Sequence, residues 1–469
     1  MKPVPILLMT AVLLPAIHAS RMTAQSVTFL HNFTNSPDGA NPAAGLLLAG
    51  DTLYGTTMHG GSNDVGTVFA VNTDGTGYTV LHQFTDEPDG SHPAAGLVLS
   101  GDTLYGSTAN GGTNGFGCLF SLNTNGDDYT VLYNFNVYSN GVLPSGRMVL
   151  ASNTLYGTAG GNGYGSPGWG TVFSINTNGS NYTALYNFST PHGSPLTNSD
   201  GEQPDKGVVL SGGTLYGAAY GGGLYGYGTV YSMQTNGSNF IVLHYFTNNP
   251  DGAYLQGGVL VADDRIYGTT DIGGTNGKGT VFAMNLDGTG YSKLHDFLTN
   301  GVDGIDPWAD LTLSGGTLYG TTRIGGTSGY GTIFSINTNG TGYTVLYDFT
   351  NSPDGANPES DLLVSGGALY GTTEAGGSSI WGTVFSVPIP VLEITGLTLA
   401  ETNLVLNAAN GMDGGTYVVL TSTDLTSLLS QWTPMTTNTP LTGSGNFTIT
   451  ATNAVNPGAP RQFYRLLEQ

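Results

Sequence analysis

Apolar residues in this chain fall in short runs separated by glycine, asparagine and aspartate. Between residues 96 and 135 the runs are GLVLS, TLYGST, CLFSLN and YTVLYNF. Such runs, rich in Val, Tyr, Phe and Thr and bounded by glycine, predict β-strands; the 3.6-residue period of an amphipathic helix is missing. Asn-Gly and Asp-Gly in NTDGTG, NTNGDD, NTNGSN and NLDGTG join the third run to the fourth. Both dipeptides supply the positive φ angles of a tight hairpin turn. The runs are apolar on both faces, which suits strands covered on each side by other sheets.

The pattern repeats. Leu-Tyr-Gly begins at Leu53, Leu104, Leu155, Leu215, Leu318 and Leu369, with Ile-Tyr-Gly at Ile266, at intervals of 51, 51, 60, 51, 52 and 51 residues. Four antiparallel strands in a repeat of this length is the size of a propeller blade. The seventh copy has three strands, in DLLVSGG, ALYGTT and GTVFSV, and then Pro388-Ile389-Pro390 where a fourth would follow. An orphan fourth strand, VTFLHNF at Val27–Phe33, precedes the first copy and matches YTVLHQF at Tyr78–Phe84. An all-β fold accounts for both oddities: a seven-bladed β-propeller over residues 26–387, closed by the N-terminal strand so that no sheet edge is left open. Residues 391–469 abandon the repeat, and LEITGLTL, NLVLNA, TYVVLTS, NFTITATN and QFYRLL predict a small C-terminal β-sandwich behind a stiff proline linker.

Charge removes some partners. Among 469 residues, 10 are Lys or Arg and 32 are Asp or Glu, for a net charge of −22. So few cations cannot lay down the track that a phosphate backbone requires, so nucleic acid is not an expected partner. Met1-Lys2, the apolar run PILLMTAVLLPAI and the small-residue stretch HASRMTAQS form the three regions of a signal peptide over residues 1–24. The apolar run is shorter than the roughly 20 residues a membrane helix needs. The expected location is therefore secreted, periplasmic or cell surface, with no membrane span in the mature chain, and a monomer is the expected state. Cys118 is the one cysteine, so no intramolecular disulfide forms; it lies in FGCLF, where other copies carry Gly-Thr-Val-Phe, and reads as a buried small side chain.

The stretch LYGTTRIGGTSGYGTIF, Leu318 to Phe334, fits L-Y-G-T-T-x-x-G-G-x-x-G-x-G-T-V-F with Ile333 in place of Val, and all seven copies carry a version of it. This motif resembles the Gloeo/Verruco (GloVer) tandem repeat of secreted bacterial proteins. The resemblance covers residues 26–387 and implies export and a repeat β fold. It brings no activity and no catalytic residues. The tail, with LTSTDL and FYRL, is more loosely similar to C-terminal β modules of other secreted bacterial proteins.

If the N-terminal strand is outermost, each blade runs from the axis outward. The blade-to-blade loops and the loops between second and third strands then share one face, where function concentrates. The blade-to-blade loops carry Asp38, Asp89, Asp200, Asp251, Asp303 and Asp354, each before glycine, and Asn140-Gly141 in the remaining copy. They read either as oxygen ligands for Ca²⁺ or paired acids for glycoside cleavage, or as turn-forming side chains that cap their own backbone. Recurrence favours the turn, and Ca²⁺ is the one cofactor to consider. Residues that differ between copies are His59, Asp64, Asp271, Arg323 and Glu374. Just before the glycine that opens the third strand stand Val65, Phe116, Trp169, Tyr227, Lys278, Tyr330 and Trp381. The aromatic members read as a platform for stacking sugar rings or as cover for the blade junctions. The repeat interval that holds the fourth lead-in loop, STPHGSPLTNSDGEQP, is nine residues longer than the usual 51. His31, His82, His244 and His295 occupy one position that Tyr133, Tyr186 and Tyr347 fill elsewhere, which suits a packing residue with a polar tip and not a metal ligand. GGTSGYG leads into a strand and not a helix, so it is not a phosphate loop.

Two functional readings stand. One is an exported non-catalytic propeller for binding or cell-surface interaction, its ligand a polysaccharide or an extracellular protein. The alternative is a carbohydrate-active enzyme, lyase or hydrolase, using loop carboxylates such as Asp64, Asp271 or Glu374. The alternative predicts a carboxyl with a raised pKa beside a loop aromatic.

Overall fold

The computed structural model describes residues 27–136, 141–161, 169–390, 393–400, 402–411, 417–423, 431–437, 445–454 and 463–468. The expected leader over 1–24, and Asn140 of the Asn-Gly turn, lie outside the described residues. Among those described, no α-helix occurs. Val27–Pro388 form one compact unit, and residues 389–469 belong to another.

In the first unit each repeat folds into a four-stranded antiparallel sheet, seven in all. The first sheet consists of Leu47–Ala49, Thr52–Thr57, Thr67–Asn72 and Thr79–Gln83, paired in chain order. The glycine of Leu-Tyr-Gly has a packing cause. Gly55 faces Phe69 across the ladder, and a Cβ on Gly55 would stand 2.5 Å from the Phe69 ring. Glycine thus opens the space that the large side chain of the third strand fills. The seventh sheet takes its fourth strand from the start of the unit: Thr28–Asn32 pairs with Thr383–Pro388, matching Thr28 to Ser386 and Asn32 to Thr383.

Neighbouring sheets share cores. Tyr54, Val68 and Phe84 pack with Leu97, Leu104 and Phe120 of the next repeat. Val172 and Phe188 pack likewise with Val208 and Leu215, and the rings of Phe349 and Phe385 meet at 5.3 Å. Val384 of the seventh sheet joins Leu46, Leu53 and Phe69 of the first. A fully buried phenylalanine contributes about 2 kcal/mol, so the series of junction rings is a large part of what holds the unit together. The leading strands or their lead-ins converge on one cavity of about 910 Å³, where Leu47, Leu99, Leu150, Leu210, Leu260, Leu313 and Asp361 each stand for one sheet. The first strand of each sheet is therefore innermost. Cys118 is buried, its thiol beside the Thr108 hydroxyl at 3.3 Å.

The second unit has two three-stranded sheets, one holding Glu393–Ala400, Asn403–Gly411 and Gly445–Ala451, the other Thr433–Thr437, Tyr417–Ser422 and Phe463–Glu468. Leu404, Leu406 and Ile449 of the first share a core with Tyr417, Val419 and Leu466 of the second.

Candidate functional site

The lead-in loops and the loops between second and third strands lie side by side. Ala40 bridges to His59, Ser91 to Asn110, Glu202 to Gly221, Ala253 to Ile272, Ile305 to Ile324 and Ala356 to Ala375. This face is built on two devices that recur in nearly every repeat.

The first is the Asp-Gly turn. The Asp38 carboxylate accepts from the Thr34 amide at 3.0 Å and the Thr34 hydroxyl at 2.6 Å, and its other oxygen meets His31 Nε2 at 3.0 Å. Asp89, Asp251 and Asp303 meet His82, His244 and His295 in the same way at 2.8–3.0 Å. In two copies a tyrosine replaces the histidine: Tyr186 donates to Asp200 at 2.8 Å and Tyr347 to Asp354 at 2.7 Å. The His31 ring lies flat on Tyr78 at 3.5 Å, and burial lowers its pKa against the pull of Asp38. These carboxylates hold turns and aromatic stacks. Among the described residues, no three His, Cys, Asp or Glu side chains are grouped as metal ligands would be.

The second device is a residue held in the left-handed region. Asn41, His92, Leu143, Gln203, Tyr254, Asp306 and Asn357 all have φ between 53° and 58°. For a non-glycine residue this conformation costs about 1–2 kcal/mol, and the surrounding backbone must impose it. It does: the amides of Asn41, His92, Leu143, Gln203, Tyr254 and Asn357 donate to the carbonyls of Trp381, Val65, Phe116, Trp169, Tyr227 and Tyr330 of the preceding sheet. Their own carbonyls, with that of Asp306, accept from the amides of Met58, Ala109, Gly160, Tyr220, Asp271, Arg323 and Glu374. A fixed backbone thus presents side chains of free choice at equivalent points around the face.

Those choices are uneven. Two residues after the left-handed position stand Ala43, Ala94 and Ser145 in the first three copies, then Asp205, Gln256, Trp308 and Glu359. At the end of the second strand, Met58, Ala109 and Gly160 give way to Tyr220, Asp271, Arg323 and Glu374. Polar and aromatic chemistry gathers on the last four sheets, and there it is connected. The Trp308 indole N–H donates to Asp271 at 2.8 Å, and the Arg323 guanidinium lies 4.3 Å above the Trp308 ring. Arg323 Nε donates to Glu359 at 2.7 Å, and Glu359 adjoins Glu374. Further along, Tyr220 stacks on Tyr254 at 4.9 Å, and Tyr227 meets Tyr254 edge-on at 6.0 Å.

Burial tunes the acids of this cluster. It pushes the Asp271 carboxyl up to about 6 in spite of the indole donor, and the Glu202 and Asp205 carboxyls up to about 7 and about 6. Glu359 is also raised, by burial and then by Glu374, with Arg323 pulling the other way.

The sequence candidates separate accordingly. Asp271, Arg323 and Glu374 join one network through Trp308 and Glu359. His59 stands apart, edge-on to His92 at 4.9 Å, and Asp64 is an exposed residue at φ 61° whose carboxylate accepts from the Gly60 amide at 3.1 Å. Of the aromatics before the third strand, Phe116, Trp169, Tyr227 and Trp381 are half-buried against the junction cores, while Tyr330 is exposed. Trp308, Glu359, Glu202, Asp205, Tyr220 and Tyr254 were not singled out by sequence. Aligning the repeats at the left-handed position brings them out, because Glu202, Asp205, Trp308 and Glu359 stand where the first copy has alanine, and Tyr220 and Tyr254 are the tyrosines of positions that vary from copy to copy.

Among the described residues, no helix is long and apolar enough to cross a membrane. The model of the Gloeobacter/Verrucomicrobia repeat matches residues 17–198, 193–385 and 291–419. No curated protein matches the chain. Similar solved structures include an oligogalacturonate lyase in complex with manganese, with a TM-score of 0.52 and 11% identity over 80% of this chain and 95% of that one. Another is the extracellular domain of the hybrid two component system BT4673 from B. thetaiotaomicron, with a TM-score of 0.50 and 12% identity over 83% of this chain and 45% of that one. At such identities the likeness is one of fold.

Proposed function

The chain belongs to the Gloeobacter/Verrucomicrobia repeat family, and from that premise we propose an exported, non-catalytic binding module whose ligand is an extracellular polysaccharide. Its seven sheets are the blades of one propeller, closed by strand Thr28–Asn32. Residues 391–469 form a β-sandwich appended to it, and residues 1–24 direct export. The ligand lies across the loop face of the last four blades, with Tyr330 at its edge.

One observation carries this reading: Trp308, the one aromatic at its position among the seven copies, is fixed by Asp271 at its nitrogen and by Arg323 on one face. Sugar recognition combines an aromatic plane for C–H faces with planar polar groups for hydroxyls, and this cluster holds both on a rigid frame. The mature protein should be retained on a polysaccharide in a pull-down panel without releasing products, and Trp308→Ala should abolish that retention. Unchanged retention by the variant would remove the assignment.

A second reading is favoured by a specific feature. Asp271 is a carboxyl raised to about 6 beside an aromatic, as a general acid of a hydrolase or lyase would be. New reducing ends or unsaturated products in the same supernatants, lost in Asp271→Asn, would promote it over the binding module.

A further inference from the structure

Beside the tryptophan cluster lies a second cluster, of buried acids and tyrosines, on the long fourth lead-in loop and the loops that face it. Glu202 stands where Ala40, Ala253 and Ala356 stand in other copies. It is only 8% exposed, and its Oε2 has no hydrogen-bond partner. Its Oε1 lies 2.7 Å from where Gly221 would carry a Cβ, so the carboxyl is laid along the backbone that follows Tyr220. Asp205 Oδ1 is likewise buried without a hydrogen-bond partner, against Gly160. The charges of Glu202, Asp205 and Asp271 all bear on the Tyr220 phenol. Tyr220, Tyr254 and Tyr227 form a stacked pair with a third ring edge-on.

Buried oxygens without donors are costly, and a site that keeps them is waiting for a donor. Carboxylates set against tyrosine faces suit one donor chemistry above others, an ammonium group, which donates its N–H bonds to the carboxylates and gains cation–π attraction from the rings. Lys206 adjoins Asp205 and supplies one positive charge of its own, which leaves the three carboxyls in excess. An anionic sugar would find its cation already engaged, because Arg323 is paired with Glu359.

We propose that this cluster takes the primary ammonium group of an amino sugar, so that the glycan bound at the loop face bears glucosamine units and not uronates. The proposal rests on the reading of the loop face as a glycan site and names its substrate class. No bond is made or broken; the carboxylates accept the N–H hydrogens and the tyrosine rings cover the cation.

The test is calorimetric titration of the mature chain with a glucosamine oligomer, the matching N-acetylglucosamine oligomer and a lysine-rich peptide. The glucosamine oligomer should bind about tenfold more tightly than its acetylated counterpart, the size of one good cation contact. The double variant Glu202→Gln, Asp205→Asn should lose that preference while keeping the acetylated affinity, and thermal unfolding checks that it folds. Tyr220→Leu, which leaves both carboxyls in place, should lose it as well. Equal affinities for the two oligomers, or a preference that survives in both variants, would overturn the ammonium assignment and leave the glycan reading standing. Binding of the peptide alone, or of nothing, would overturn both.

Discussion

Trp308 and Asp271 lie 37 residues apart and belong to adjacent repeats, yet the indole N–H of one donates to the carboxylate of the other at 2.8 Å. The bond ties the lead-in loop of the sixth sheet to the second-strand end of the fifth. It also opposes burial, which otherwise drives the Asp271 carboxyl upward. Trp308→Phe keeps the ring and removes the donor. The Asp271 carboxyl should then titrate above its present value of about 6, and stability should fall by about 1.5–3 kcal/mol, the worth of a hydrogen bond to a charged group. Carboxyl-carbon NMR titration reads the first effect and denaturant unfolding the second. An unmoved Asp271 titration would mean that the indole contributes nothing to the acid.

What was legible in the sequence, and what was not, divides along the range of the interactions. Sheet number follows from Leu-Tyr-Gly spacing, and the pairing of Thr28–Asn32 with the seventh sheet follows from an orphan strand and a missing one. Both are matters of counting along the chain. Asp271, Arg323 and Glu374 could be picked out because they vary within one motif. Trp308 and Glu359 were passed over, because DGIDPWAD and DGANPESD read locally as turns and only alignment of the copies sets them apart. Their partners Asp271 and Arg323 stand 37 and 36 residues upstream. The aromatics before the third strand were legible as a series, but burial of Trp169 or Trp381 depends on the core of the neighbouring sheet.

Glu202 links the cluster of acids and tyrosines to stability. Its carboxyl is raised in the folded state to about 7, so the folded protein holds a proton that the unfolded chain has given up. Stability from this group is therefore present below the unfolded value near 4.5 and is lost as pH rises through about 7. Glu202→Gln removes the penalty. At about pH 8 the variant should be more stable than the parent by as much as about 3 kcal/mol, and near pH 4 the two should coincide. Tm measured across that range decides it. His31 and His82, whose lowered pKa values work in the opposite sense, are unchanged by the substitution and cancel in the comparison. A constant difference between the two Tm curves would mean that the proton on Glu202 is not involved.

Leu143 takes the left-handed position with no side-chain hydrogen bond to favour it. At the same point Asn41 donates its side-chain amide to the Glu374 carbonyl at 3.0 Å, and Asn357 to that of Arg323 at 3.3 Å. Asparagine tolerates φ near 56° far better than leucine does. Leu143→Asn should raise stability by roughly 1 kcal/mol, a shift of a few degrees in Tm. A loss of stability would show that contacts of the leucine side chain outweigh the backbone strain.

The seventh sheet depends on a strand far from its partner in sequence. Thr28–Asn32 covers the outer edge of Thr383–Pro388, and just after it Phe33 is fully buried against the core shared by the seventh and first sheets. Removing residues 27–33 would uncover that strand's unpaired N–H and C=O groups and leave a hole the size of a phenylalanine. Losing a buried aromatic side chain alone costs about 3–5 kcal/mol. The open edge is also a template for pairing with another chain. A chain beginning at Thr34 should therefore unfold at lower denaturant and self-associate in light scattering. The peptide VTFLHNF added in excess should restore both the midpoint and the parent's scattering, because the missing strand is held by pairing and packing and needs no covalent link. A truncated chain as stable as the parent and with the same scattering would mean that the seventh sheet stands on three strands, and that the N-terminal strand does not close the ring.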